Sequence, residues 1–227
     1  MPVILFDIDG TLVRTGGAGK AAMEAALSEE FGVAISAEEV PYSGRTDRAI
    51  GRDLLTAHAI DPSPANQLRL TNGYLTRLPK YLNEHDGTIC PGIGHLLEKL
   101  QDRDDVLLGL LTGNVRAGAR HKLGHYGLWE FFTLGGFGDD HYERDDVARA
   151  ALTAVEAHRA GPVDPADVWV IGDTPLDVRC ARAIGAKAVA VATGWHTLDV
   201  LEATHPDFAL ADLSEPRELL RAWNIGN

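Results

Sequence analysis

Val3-Ile4-Leu5-Phe6-Asp7-Ile8-Asp9-Gly10-Thr11-Leu12 runs from an apolar, β-branched segment into two carboxylates one residue apart, then glycine and threonine. A short apolar run closed by a turn signal reads as a buried strand. Side chains alternate along a strand, so Asp7 and Asp9 should leave it on the same side, roughly 6–7 Å apart. In open α/β sheets, ligands bind just beyond the carboxyl ends of the strands. Asp9-Gly10 is also a strong hairpin-turn dipeptide. This stretch alone therefore reads equally well as a turn or as a site, and the rest of the chain has to decide.

Four later apolar runs resemble the first: Val106 to Leu111 before Thr112-Gly113-Asn114, Val168 to Ile171 before Gly172-Asp173, Ala188 to Ala192 before Thr193-Gly194, and Phe208 to Leu210 before Ala211-Asp212. Helical patterns lie between them, over Ile93 to Leu100, Val147 to His158, Pro175 to Ile184 and Pro216 to Trp223. Strand–helix alternation implies an α/β fold, an open parallel sheet with helices on both faces in a Rossmann-like core. Residues 16–86 break the pattern. Gly17 to Phe31, Thr46 to Ala59 and Pro64 to Leu82 all read as helices, with glycines at Gly16-Gly17 and Gly87 on either side. About 70 residues suffice for a small subdomain. The expected division is an α/β core over 1–15 and 87–227, with an all-helical cap over 16–86 inserted after the first strand.

The 227 residues carry 21 basic and 33 acidic side chains, a formal net charge of −12, which argues against nucleic acid or an anionic membrane surface as partner. A small anionic substrate stays open, because a bound cation reverses the local field. Cys90 and Cys180 make neither a disulfide framework nor a zinc pattern, so a reducing cytoplasm is expected. Cys180, in an alanine-rich helical stretch, reads as a small core residue. The N-terminal apolar run ends at Asp7, too short for a signal peptide or a membrane span.

Three constellations sit just past expected strand ends. In Thr112-Gly113-Asn114 a hydroxyl, a bare glycine and a helix start suit a phosphate, and Asn114 also fits as a helix N-cap. In Gly172-Asp173-Thr174-Pro175-Leu176-Asp177 the proline places Thr174 at an N-cap and Asp177 in a capping box, which leaves Asp173 without a structural reason. Arg144 precedes a helix where acids are the better dipole partners. Two carboxylates 4 Å apart repel by about 4 kcal/mol at an effective dielectric of 20. Asp7, Asp9, Asp173 and Asp177 could not all stay ionised together without a cation. A hard, oxygen-seeking divalent ion answers that, and Mg²⁺ is the usual choice where phosphate completes the shell. A metal, a nucleophilic carboxylate, a second carboxylate for protons and phosphate donors make phosphoryl-transfer equipment.

Asp7-Ile8-Asp9-Gly10-Thr11-Leu12, Thr112-Gly113-Asn114, Arg144 and Gly172-Asp173-Thr174-Pro175-Leu176-Asp177 resemble the four ordered motifs of the haloacid dehalogenase superfamily. The helical block resembles its small helical cap, and the nearest branch is that of the phosphoglycolate phosphatases. The resemblance implies that Asp7 attacks phosphorus and becomes an aspartyl-phosphate. Asp9 would protonate the leaving oxygen and then activate water. Asp7, the Asp9 carbonyl, Asp173 and Asp177 would surround Mg²⁺, and Thr112, Gly113 and Asn114 would hold the phosphoryl group. The basic residue of the third motif, often lysine, would be Arg144, since no lysine lies between Lys122 and Lys187. Dehalogenases of the superfamily lack the second acid, so Asp9 points to phosphate esters.

Arg45, in the cap loop Ser43-Gly44-Arg45-Thr46-Asp47, is placed to clamp a substrate anion or simply to sit in water. Arg14, beside the hinge, is a lesser candidate. Gly16-Gly17-Ala18-Gly19-Lys20 imitates a nucleotide-binding loop, but Ala21 replaces the required hydroxyl and Arg14 stands where glycine is needed. His121 and His125 have metal-ligand spacing on what reads as a solvated helix face. Trp195-His196, after Thr193-Gly194, reads as lining the core or the site edge, with core packing favoured. The expected function is a Mg²⁺-dependent phosphatase of a small phosphate ester, phosphoglycolate included, working as a monomer or homodimer. A sugar-phosphate phosphomutase on the same frame is the alternative. A non-enzymatic receiver-like module would have no use for Asp9 or the cap.

Overall fold

The structure, a computed structural model, describes residues 1–35 and 40–225. The chain enters through β1 (Val3–Phe6), which is buried along its whole length. Two residues of β2 (Val13–Arg14) follow, then the helices α1 (Ala18–Phe31), α2 (Asp47–Ala57) and α3 (Pro64–Glu84). The chain returns through β3 (Thr88–Ile89), which pairs antiparallel with β2. From there it alternates through α4 (Ile93–Gln101), β4 (Leu107–Leu111), α5 (Arg116–His125), β5 (Leu134–Gly136), α6 (Arg144–Arg159), β6 (Val168–Gly172), α7 (Pro175–Ala183), β7 (Lys187–Val191), α8 (Leu198–Glu202), β8 (Phe208–Leu210) and α9 (Arg217–Ala222).

Six strands form one parallel sheet in the order β5-β4-β1-β6-β7-β8. The period-two pattern of β1 serves two cores. Ile4 and Phe6 join a cluster with Leu108, Leu110, Ile171, Leu96 of α4, Leu123 of α5 and Trp223. Val3 and Leu5 face the opposite side, with Val170, Val147 and Ala151 of α6 and Ala181 of α7. The chain builds outward from β1 in one direction through β4 and β5, and in the other through β6, β7 and β8. The sequence order thus reverses at β1, and a crevice forms at its carboxyl end, which is where such sheets bind ligands.

The three helices between β2 and β3 gather around a cluster of their own, with Ala22, Leu27, Leu55, Leu70, Tyr74 and Leu78 fully or almost fully buried. Val115, at the start of α5, closes that cluster from below. The two chain crossings into this helical unit run side by side as β2 and β3, next to Gly16 and Gly87.

The fold differs from expectation in three places. β5 is Leu-Gly-Gly, with no apolar run to announce it. Its glycines are needed because a Cβ on Gly135 would sit 2.9 Å from Leu110 and one on Gly136 would sit 2.4 Å from the Val147 carbonyl oxygen. Strands β2 and β3 have two residues each, below the reach of any periodicity. Trp195 is not in the core but 92% exposed. Gly194 lies so close to Asp173 that a Cβ there would be 1.7 Å from the carboxylate, so the chain turns tightly and the next side chain is left in solvent. Cys180 is buried in the core and His121 and His125 are exposed. Among the described residues no helix is long and apolar enough to cross a membrane.

Ile4 is fully buried in the central strand. Ile4→Ala should therefore cost about 2–5 kcal/mol of stability, read as a lower urea midpoint at unchanged slope.

Candidate active site

Asp7 is the first residue past β1, and its N–H still donates to the Ile171 carbonyl at 2.9 Å, which holds the residue in the sheet. Asp173 stands one residue past β6, and Asp177 lies in the first turn of α7. One oxygen from each of Asp7, Asp173 and Asp177 falls within 4.8 Å of the other two, and all three residues are buried. Asp177 fills both roles open to it. Its Oδ2 accepts from the Thr174 N–H at 2.9 Å and hydroxyl at 2.7 Å, completing a capping box. Its Oδ1 accepts from Arg144.

Arg144 opens α6 and is buried. Its Nη2 lies 3.0 Å from Asp7 Oδ1 and also meets Asp177 Oδ1, so one nitrogen bridges two of the three acids. Nε, by contrast, is buried without a partner among the described residues. Burial works against the guanidinium's charge, but Asp177 and Asp7 raise its pKa well above the usual value. One cation does not satisfy three acids. Burial raises Asp7 to about 6, with Arg144 pulling down and Asp177 and Asp9 pushing up. Burial followed by Asp177 and Asp7 raises Asp173 to about 8. Asp173 has the Thr11 hydroxyl, 3.2 Å away, as its hydrogen-bond donor. Gly10 and Gly194 press on the same carboxylate from either side, closer than any Cβ would permit. An all-oxygen, cation-deficient cluster of this kind fits a hard divalent ion held by Asp7, Asp173 and Asp177.

Across the crevice, Thr112 is the first residue past β4 and is fully buried. Asn114 does not cap α5: the capping position belongs to Val115, with no side-chain bond. The Asn114 amide nitrogen instead donates to the Thr112 hydroxyl at 2.9 Å and to Asp9 Oδ2 at 2.8 Å, tying the phosphate-binding candidate to the second acid. A residue missed in the sequence completes this group. Lys122 Nζ lies 2.5 Å from Asp9 Oδ2 and 2.6 Å from Asn114 Oδ1. The available signal was its position on α5, three and four residues on from the small Ala119 and Gly118 of the buried side, where a lysine needs partners to be buried.

The loop 43–47 of the helical unit reaches this site through its backbone. The Asp47 N–H donates to the Gly113 carbonyl at 2.8 Å, and a Cβ on Gly113 would lie 2.1 Å from the Arg45 carbonyl oxygen. A Cβ on Gly44 would lie 2.8 Å from the Thr174 hydroxyl and 3.0 Å from Leu176 at the α7 start. The Arg45 guanidinium is engaged within the helical unit, by Asp53 at 2.6 Å and the Pro41 carbonyl at 3.0 Å. Arg14 donates to the Thr193 carbonyl. Asp7, Asp9, Thr112, Gly113, Asn114, Arg144, Asp173 and Asp177 are thus gathered in one crevice, whereas the Arg45 side chain points to its own helical unit.

A family model for haloacid dehalogenase-like hydrolases matches residues 4–191. A phosphoglycolate phosphatase of Synechococcus elongatus is 30% identical over 224 residues, covering 98% of this chain and 97% of that one. The pyrophosphatase PpaX of Oceanobacillus iheyensis is 26% identical, covering 93% of each chain. Among solved structures, CbbY of Rhodobacter sphaeroides in complex with phosphate is alike in fold, with a TM-score of 0.73 at 20% identity over 95% of this chain and 96% of that one.

Removing Arg144 would leave Asp7 and Asp177 buried without their cation, and breaking a buried pair in this way costs about 3–5 kcal/mol. Arg144→Ala should lose stability on that scale in denaturant unfolding. Arg144→Lys should keep part of it, because the acids are bridged through a single nitrogen.

Proposed function

Since the chain belongs to the haloacid dehalogenase-like hydrolases, we propose that this phosphoric monoester hydrolase cleaves a small phosphate ester with Mg²⁺, through an aspartyl-phosphate on Asp7. The observation that carries this reading is the unequal housing of the two aspartates. Asp7 is buried and fixed by Arg144, while the Asp9 side chain, two residues on, is 43% exposed toward the crevice. An immobile nucleophile beside a reachable proton carrier is what phosphoryl transfer in two steps requires.

Mg²⁺ bound among Asp7, Asp173 and Asp177 would neutralise the carboxylates and stabilise charge on the transferring phosphoryl group. An oxygen of Asp7 attacks phosphorus, and the bond to the ester oxygen breaks. Asp9 gives its proton to that departing oxygen, so the product leaves as an alcohol. Asp9, now ionised, takes a proton from water as the water attacks the phosphorus of the aspartyl-phosphate, which frees Asp7 and inorganic phosphate. The Thr112 hydroxyl and the N–H groups around Gly113 and Asn114 hold the phosphoryl oxygens in line. Residues 16–86 act as a cap whose closure keeps bulk water out. Phosphoglycolate is the first ester to try, because the relative from Synechococcus carries that name.

The test is inorganic phosphate release from a panel of small esters with and without Mg²⁺. Release should depend on the metal and vanish in Asp7→Asn, while Asp9→Asn should lower it by about 10²–10⁴-fold. Phosphate migration within a sugar phosphate, without release, would replace the phosphatase reading with the phosphomutase one. No turnover of any ester would sink both.

A further inference from the structure

Lys122 is the buried charge that the reaction above does not use. It lies in the core, on α5, with its side chain only 5% exposed. Taking an ammonium out of water costs several kcal/mol unless it is well paired, so its partners need a reason. Nζ is bonded to Asp9 Oδ2 and Asn114 Oδ1. Asn114 also donates to the same Asp9 oxygen. Two donors therefore converge on Oδ2, and among the described residues no hydrogen bond falls on Oδ1.

The roof over this lysine comes from the helical unit. Gly19 of α1 passes so close that a Cβ there would lie 3.3 Å from Nζ. Tyr74 of α3 is buried beside it, and burial raises the phenol's pKa while Lys122 opposes the rise. Asp47 of α2, its Oδ2 accepting from the Val115 N–H at 2.9 Å, adds a further negative charge. Burial alone would lower the ammonium's pKa, but Asp9, Tyr74 and Asp47 raise it above its ordinary value. One side chain of the core is thus enclosed by all three helices of the unit above it, and it reaches the acid–base aspartate below.

We propose that Lys122 is a positioning residue that pins Asp9 Oδ2, so that Oδ1 exchanges protons with leaving group and water, and that covering by the helical unit ties this alignment to closure. The inference rests on the phosphatase reading. Lys122 has no contact with Asp7, Asp173 or Asp177 among the described hydrogen bonds, so its effect should pass through Asp9 alone. With the helical unit lifted, Nζ would be hydrated and its hold on Asp9 weakened. Closure would then set the acid as well as exclude water.

The experiment is a double-mutant cycle on phosphate release, with kcat and KM measured for wild type, Lys122→Met, Asp9→Asn and the double variant. Misplacing a reacting group by about 1 Å costs on the order of 10²-fold, so Lys122→Met should lower kcat on that scale while KM changes little. In the Asp9→Asn background the same substitution should have no further effect, the non-additivity expected of groups that act as one unit. Lys122→Arg should recover part of the loss. Tyr74→Phe removes only the hydroxyl beside Nζ. It should lower kcat more mildly, again only where Asp9 is present, and this second cycle decides the matter should Lys122→Met fail to fold. Full additivity with Asp9→Asn, or a raised KM at unchanged kcat, would overturn the positioning role. Wild-type protein without phosphatase activity would overturn the underlying reading and this inference with it.

Discussion

Arg144 is the contact on which the site depends. Two acids past the ends of neighbouring strands and a third in the first turn of α7 would drive one another apart, and Arg144 holds two of them, Asp7 and Asp177, on a single nitrogen. Its place follows from topology. Asp7 ends the strand at which the sequence order reverses, Asp177 opens the helix after β6, and α6 leads directly into β6. The guanidinium enters from a helix that packs on α7 and shares a core with β1. The arrangement stays short of charge: Asp7 and Asp173 both have raised pKa values. Among the described residues the buried Arg144 Nε has no partner, at a cost of about 1–3 kcal/mol.

Local rules and the site's demands coincide at some residues and conflict at others, and that separates what the sequence revealed from what it hid. At Asp177 they coincide. The Thr174-Pro175-Leu176-Asp177 pattern is a sound helix start on its own terms, and the same carboxylate turns its other oxygen to Arg144. The central strands, the long helices and the acids all lay on strong local signals, namely apolar runs, caps and turn glycines. At Asn114 local and tertiary demands conflict. Asparagine before a helix is a fine cap, yet the side chain is drawn off to Thr112 and Asp9, and Val115 takes the capping position without a side-chain bond. Such a choice depends on a partner 105 residues away. β5 was hidden for a related reason. Its glycines answer to Leu110 and Val147 from other elements, so nothing in Leu134-Gly135-Gly136 itself reads as strand. The Arg45 side chain is held by Asp53, one helical stretch further along, while its backbone does the docking.

Lys122 was the hardest to see. A lysine on an ordinary amphipathic helix is nearly always solvated, and only the pairing found in three dimensions makes its burial intelligible. Two neighbouring aspartates, Asp7 and Asp9, have each acquired a buried cation, yet the two cations hold them differently. Arg144 lies beneath the sheet end, between acids that are themselves buried, and leaves Asp7 little freedom. Lys122 comes from the side on which the helical unit sits, grips one oxygen, and leaves its aspartate 43% exposed. A nucleophile must keep its line of attack through both steps, whereas a proton carrier must meet first a leaving group and then a water from nearly the same place. The difference between the cations matches that division. Both carboxylates come from one turn of chain, two residues apart, and the elements that later close around them, α6 below and α5 with its helical roof above, give them different surroundings.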